Sequence, residues 1–369
     1  VTTAPEGAVA AAARKLIAEA EGSDPGELTA TALPGGASRQ AFALQAGEGA
    51  GRRWMIRRDP PGADESFNPL EVEFRVLQAA AAAGVAVAEP IAYEPRGGRF
   101  ESAGMLMSFV DGTSVAPRVL RREELAGARR RLPAQLGAAL AAIHSIDGAA
   151  IKGVPAPGGD PALAACEVWE SQLDEIGEPL PGVEAGLRWL RLHAPPAAAE
   201  RLVHGDFRLG NLIVDENGLA AVIDWELCHS GDPAEDIGWL CIRSWRFGND
   251  EFPVAGLGLL EPLLMAYEAA GGTRPEPERL RWWGAMGNVK WAVICARQAA
   301  DHLSGSRPSA ELASLGRRIC EPEYDLLAEL SWSSPKPRPS TDPVDPGQPP
   351  MPVDSSASRP GSTGLAEGA

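Results

Sequence analysis

The stretch LVHGDFRLGNLIVDENGLAAVIDWE, residues 202–226, gathers two aspartates and an asparagine at spacings suited to phosphate chemistry. Asp206 and Asn211 fall in a loop ahead of a β-hairpin, in which Asp215-Glu216-Asn217-Gly218 joins NLIV to LAAVID. Asn-Gly between two apolar runs is a strong hairpin signal. A hairpin returns its second strand beside the start of its first, so Asp224 comes back near Asn211 although 13 positions separate them. Oxygen donors so placed suit Mg²⁺, which is commonly held by one or two carboxylates together with substrate phosphates. Asp206, five residues before Asn211, is then positioned to accept a proton from an attacking hydroxyl. That is the division of labour in phosphoryl transfer.

Two kinds of element must position these groups. After an opening helix, residues 1–110 read as strands: LPGGASRQAFAL as strand, Gly-rich turn, strand; WMIR with Trp54 and Ile56 on one face; then EPIAYEP and SAGMLMSFV. Between the third and fourth strands, NPLEVEFRVLQAAAAAG predicts a helix on the stripe Leu70, Phe74, Leu77, Ala81. The order is β, β, β, α, β, β. Residues 111–332 read as mainly helical, with stripes Leu136–Leu140–Ile143, Ile237–Leu240–Cys241–Trp245 and Trp282–Met286–Val289–Val293–Ala296. From residue 333 onward the chain is rich in Pro, Ser and Gly and cannot bury enough apolar surface to offset its ordering entropy. The expected division is thus 1–110, 111–332 and a disordered 333–369. The fold class is α+β, with a ligand cleft between a small β-rich lobe and a larger helical one.

Composition narrows the function. A net charge of -16 argues against a nucleic-acid partner, whose phosphates need clustered cations. No apolar run approaches a membrane span, and the Ala-rich start lacks the flank of a signal peptide, so no membrane role and a cytoplasmic location are expected. Five widely spaced cysteines form no CxxC pair and are assigned no chemistry. Residues 111–332 carry 21 Lys/Arg against 32 Asp/Glu, a surface compatible with a cationic small-molecule partner.

HGDFRLGN followed by IDWE resembles the catalytic signature of the aminoglycoside phosphotransferase family, a branch of the protein-kinase-like fold. The FRLGN and DWE spellings are most similar to kinase domains fused to acyl-CoA dehydrogenases, and the resemblance covers roughly residues 25–330. It implies a bilobal ATP- and Mg²⁺-dependent phosphotransferase acting on a hydroxyl of a small molecule, either aminoglycoside-like or a hydroxyacyl thioester. Asp206 would be the catalytic base, Asn211 and Asp224 the metal ligands, His204 a brace, and Asp236 the buried carboxylate tying this loop to the next helix. In MLMSFVDG the backbone of Ser108 and Val110 would meet the adenine edge, while Gly35, Gly36 and Ser38 would cover the phosphates.

Two features depart from the kinase pattern. The strand lysine is missing, and WMIRRDPPG offers Arg57 as the phosphate-gripping cation, with Glu73, rather than Glu71, as its helix partner. The glycine loop is also looser than GxGxxG. The missing lysine motivates an alternative, a pseudokinase that binds nucleotide without transfer. His144 and the indoles of Trp282, Trp283 and Trp291 read as structural, although one indole could line the acceptor pocket. The arginines Arg118, Arg121, Arg122, Arg129, Arg130 and Arg131 read as a solvated face, or as a clamp for a phosphorylated acceptor.

Overall fold

The computed structural model, which describes residues 6–33, 39–47, 51–60 and 68–333, begins with an amphipathic helix, α1 (Glu6–Glu21). Gly35, Gly36 and Ser38 lie outside the described residues. Val9, Ala13, Leu16 and Ile17 line one face of α1 and bury against Phe42, Leu44, Trp54 and Ile56 of a five-stranded sheet. In chain order come β1 (Leu28–Ala32), β2 (Gln40–Ala46), β3 (Arg53–Arg58), α2 (Leu70–Ala82), β4 (Pro90–Glu94) and β5 (Gly104–Ser108). The sheet runs β1-β2-β3-β5-β4, antiparallel throughout.

Strand alternation decides which of two adjacent arginines faces α2. Trp54 and Ile56 bury on the α1 side, and Arg58 follows them, donating to Gln40 Oε1 at 2.8 Å. Met55 and Arg57 point the other way, Arg57 pairing in register with Met105. On α2 the buried stripe is Leu70, Glu73, Val76, Leu77 and Ala80, rotated from the expected one: Phe74 is half-buried and Ala81 exposed. The rotation places a carboxylate, Glu73, fully inside, which apolar spacing cannot anticipate.

The rest of the chain comprises α3 (Ala116–Arg121), α4 (Ala126–His144), α5 (Pro161–Ile176), α6 (Pro181–Leu192), β6 (Arg201–Val203), β7 (Leu212–Asp215), β8 (Gly218–Val222) and β9 (His229–Gly231). α7 (Ala234–Cys241), α8 (Leu260–Ala269), α9 (Pro277–Leu303), α10 (Ala310–Gly316) and α11 (Cys320–Ser333) follow. α4 packs along α8, and α9 lies against α5, α6, α7 and α10. All five members of the predicted α9 stripe are buried. At about 1.5–3 kcal/mol per large apolar side chain, that burial makes α9 the central prop of the helical part.

Two predictions at this level need correction. α7 stops at Cys241 instead of continuing to Trp245, because the Arg246 guanidinium takes the Cys241 carbonyl at 2.7 Å and caps the helix. Trp245 therefore sits in a short 3-10 turn and folds back onto Trp239, ring centroids 5.1 Å apart. The β6–β9 ribbon was also missed, since three-residue strands are too short to show alternation. The compact unit is Val1–Ser331; of the remainder only the end of α11 is described. Among the described residues no helix is long and apolar enough to cross a membrane.

Candidate active site

The β7–β8 hairpin forms as its turn residues dictate. Asp215 Oδ1 accepts from the amides of Asn217 and Gly218 at 2.7 and 3.1 Å, closing the turn. Arg131 and Gln135 of α4 donate to the turn carbonyls of Glu216 and Asn217, fastening the hairpin to the helical part. Leu212 pairs with Val222, and the Ile223 amide donates to the Asn211 carbonyl at 2.9 Å. This brings Asp224 back to Asn211, with Asp224 in a left-handed conformation at φ 70°.

The loop carrying Asp206 is gripped by the helices behind it. Asp236, fully buried on α7, accepts from the His204 and Gly205 amides at 2.7 and 2.9 Å and from His144 Nε2 at 3.2 Å. Burial pushes the Asp236 carboxyl up. The hydrogen bond and charge of His144, with help from His204, outweigh burial and hold it below the usual carboxylate range. His204 Nδ1 accepts from the Asp206 amide at 3.1 Å, so the ring proton sits on Nε2, which donates to the Ile223 carbonyl at 3.1 Å. Burial pushes the His204 pKa down, which favours the neutral ring, and the two hydrogen bonds select this tautomer. Gly205 adopts φ 76°, and a Cβ there would lie 2.3 Å from the Leu227 carbonyl oxygen; only glycine fits.

Three donors converge on the Asp206 carboxylate. Trp239 Nε1 reaches Oδ1 at 2.8 Å, Asn211 Nδ2 reaches Oδ2 at 2.7 Å, and Arg208 Nε reaches both oxygens at 3.0 and 3.1 Å. Asn211 Nδ2 also donates to the Asp206 carbonyl at 3.0 Å. With its amide nitrogen spent on Asp206, Asn211 has Oδ1 left for a cation. Arg208 lies over the Trp245 ring at 5.1 Å, and buried Lys290 of α9 donates to the Gly205 carbonyl from above the Trp239 ring.

On the sheet side, Arg57 bridges Glu73 at 3.2 Å and Asp224 Oδ1 at 2.9 Å. Glu71 is exposed and pairs with Arg75 instead. Arg39, which precedes β2, pairs with Glu73 as well, with Asp59 at 2.9 Å and more loosely with Glu226 at 3.9 Å. Carboxylates outnumber guanidiniums in this linked set, and one of them, Asp224, is a third exposed. Two hard oxygen donors, Asp224 and Asn211, in such a field fit Mg²⁺ with the remaining positions left to water or phosphate oxygens. Among the described residues no three His, Cys, Asp or Glu side chains form a closed metal cage.

The structure therefore joins Asp206 to Asn211 and Arg57 to Glu73 and Asp224, and the Ile223–Asn211 backbone hydrogen bond sets the two groups side by side. The Ser108 amide donates to the Glu89 carbonyl at 2.9 Å and its hydroxyl accepts from the Glu89 amide at 2.8 Å, so a base edge at Ser108 would meet its carbonyl rather than its N–H. Val110, the other linker residue, is half-buried. Trp282 and Trp283 are buried, their indole nitrogens donating to the Leu190 carbonyl and to Asp232. Trp291 instead joins Trp245 and Trp239 beside Asp206. Arg129 and Arg131 of the basic cluster are spent on backbone carbonyls.

Sequence reasoning missed Arg39, Arg208, Trp239 and Lys290. Lys290 left a signal, a lone charge in the apolar run of α9, because a buried lysine needs a partner. Burial pushes the thiols of Cys166 and Cys241 up to about 11 and about 12, consistent with giving the cysteines no chemistry.

A small antiparallel sheet with one helix after its third strand, joined to a helical part that presents a loop and hairpin, is the bilobal protein-kinase-like fold. The chain belongs to the phosphotransferase enzyme family, whose model matches residues 29–283. It is 26% identical to a putative aminoglycoside phosphotransferase from Ralstonia eutropha, with a TM-score of 0.68, covering 86% of this chain and 98% of that one. A thermostable mutant of the aminoglycoside phosphotransferase APH(4)-Ia, solved as a ternary complex with ADP and hygromycin B, shares the fold at 17% identity and TM-score 0.53, covering 88% and 99%. Acyl-CoA dehydrogenase family member 11 of Gallus gallus is 27% identical over 334 residues, which are 84% of this chain and 42% of that protein. The chain spans less than half the length of that relative.

Proposed function

We propose that the protein is an ATP- and Mg²⁺-dependent O-phosphotransferase that moves the γ-phosphate to a hydroxyl of a small molecule. The observation that carries this reading is the meeting of Asp206, Asn211 and Asp224 through one hairpin and one braced loop. Asp224 and Asn211 Oδ1 would hold the metal ion. When bound, that ion neutralises charge on the phosphates, the main electrostatic demand of a loose transition state. Asp206, aimed by Trp239, Asn211 and Arg208, orients the acceptor hydroxyl and receives its proton. Val110 meets the adenine edge, Arg57 engages the phosphates, and Gly35, Gly36 and Ser38 remain the candidates to cover them. The fold neighbour solved with ADP supports a nucleotide donor.

Of the two acceptor classes, a hydroxyacyl thioester is the better fit. Partly exposed Arg208 lies against Asp206, a cation that favours an anionic acceptor over a polyamine. The similarity to acyl-CoA dehydrogenase family member 11 points the same way. The test is Asp206→Asn, expected to fold and bind Mg²⁺·ATP normally while losing nearly all transfer in a screen of hydroxylated acceptors. Near-normal turnover by that variant would refute the assignment. Nucleotide binding by the wild type with no turnover on any acceptor would instead mark a binding module.

A further inference from the structure

Glu73 is fully buried, and two guanidiniums reach it, Arg39 at Oε1 and Arg57 at Oε2. The two differ in freedom. Arg39 is only 6% exposed in its side chain and is held from four segments: Asp59 after β3, the Asn68 carbonyl before α2, Glu73 on α2, and Glu226 beyond β8. A planar fork tied at that many points does not move without leaving several partners at once. Arg57 is held by Glu73 and Asp224, and the second, Asp224, is a third exposed.

A divalent cation on Asp224 repels a guanidinium 2.9 Å from the same carboxylate, so Arg57 has to let go of Asp224 when the metal arrives. Were Arg57 the sole partner of Glu73, a swing from Asp224 toward a phosphate that loosened its hold on Glu73 would leave a carboxylate unpaired in the interior, a strongly unfavourable state. Arg39 removes that penalty. We infer that Arg39 is a positioning residue for the nucleotide: it keeps Glu73 charge-compensated so that Arg57 can exchange Asp224 for the phosphates. The inference rests on the phosphotransferase reading and adds to it a residue that touches neither metal nor substrate. The usual single cation of this strand–helix pair is thereby split between two arginines, one fixed and one free to move.

The experiment is calorimetric titration of Mg²⁺ with a non-hydrolysable ATP analogue into wild type, Arg39→Met, Arg39→Met/Glu73→Gln and Arg39→Lys. Arg39→Met is expected to weaken binding on the order of tenfold or more, because Arg57 is then held by Glu73. Glu73→Gln in that background should restore affinity to within about threefold, since no buried charge then holds Arg57 back. Arg39→Lys, which keeps the charge but not the fork, should fall between. A merely structural Arg39 would give a second loss in the double variant instead of a recovery. Equal binding by wild type and Arg39→Met, or no recovery in a double variant that melts as a folded protein, overturns the inference. If Arg39→Met alone does not fold, the double variant is still expected to fold and bind, and its failure to do either is equally fatal. Absence of Mg²⁺-dependent binding in the wild type would sink the phosphotransferase reading itself.

Discussion

Asp236 offers the most direct test of how the catalytic loop is held. In Asp236→Asn the side chain keeps its shape but one oxygen becomes an amide. If the remaining oxygen stays on the His204 amide and His144, the new NH₂ group faces the Gly205 N–H, a donor against a donor. One hydrogen bond to a charged acceptor is lost, about 1.5–3 kcal/mol, and a buried N–H goes unpaired for about another 1–3 kcal/mol. The combined loss is about 3–5 kcal/mol, the range for breaking a buried charged contact. At about 2.1 cal/mol/K per residue, the unit Val1–Ser331 unfolds with an entropy of roughly 0.7 kcal/mol/K, so Tm should fall by about 4–7 °C. The sign of the pH dependence follows from a carboxyl held below its unfolded value: the stabilisation is complete above the ordinary carboxylate range and fades as pH drops through the depressed value. The gap between wild type and variant should thus be full at neutral pH and shrink below about pH 4. Calorimetric melts at several pH values read this, and amide hydrogen exchange at His204 and Gly205 reports it locally. A variant melting within about 1 °C of wild type at neutral pH, with both amides still protected, would show that the loop is held by something else.

Two further expectations concern neighbouring groups. Trp239→Phe removes the 2.8 Å donor to Asp206 Oδ1, worth about 1.5–3 kcal/mol to a charged acceptor; kcat should drop about 10–100-fold while nucleotide affinity stays, and an unchanged kcat would show the contact idle. His229 presents both ring nitrogens to acceptors, the Leu227 carbonyl and Glu235. Burial favours its neutral form, but the charge and hydrogen bond of Glu235 prevail and raise its pKa. Its stabilisation is therefore complete below about pH 6.5 and is lost as pH rises through the folded value. His229→Gln should cost stability in urea unfolding at pH 6 and little at pH 9.

The placement of Asp206, Asn211 and Asp224 was legible because one 25-residue stretch contains all three together with the turn that folds it back. Chain-local information of that kind also revealed the succession of strands and helix along residues 1–110 and the long α9. What stayed hidden depends on rotation or on distance. The stripe on α2 was misplaced because a charged residue, Glu73, occupies a core position, and apolar spacing is blind to a paired buried carboxylate. Arg39 carried no local mark, since its partners Asp59, Asn68, Glu73 and Glu226 lie 20 to 187 positions further along the chain. Trp239 and Lys290 reach the loop from α7 and α9, where only packing can reveal them. The reach of α7 was overestimated because a side chain, Arg246, ends it, and that cap is not written in the apolar period.

The grip on Gly205 has a consequence for how the molecule can move. Its N–H is taken by Asp236 and its C=O by Lys290, so the peptide groups on either side are clamped by opposite charges from two different helices. Such a loop works as an anvil. Accommodation of any bound molecule has to come from the surrounding indoles or from the sheet, and the Asp206 carboxylate keeps its aim while they adjust.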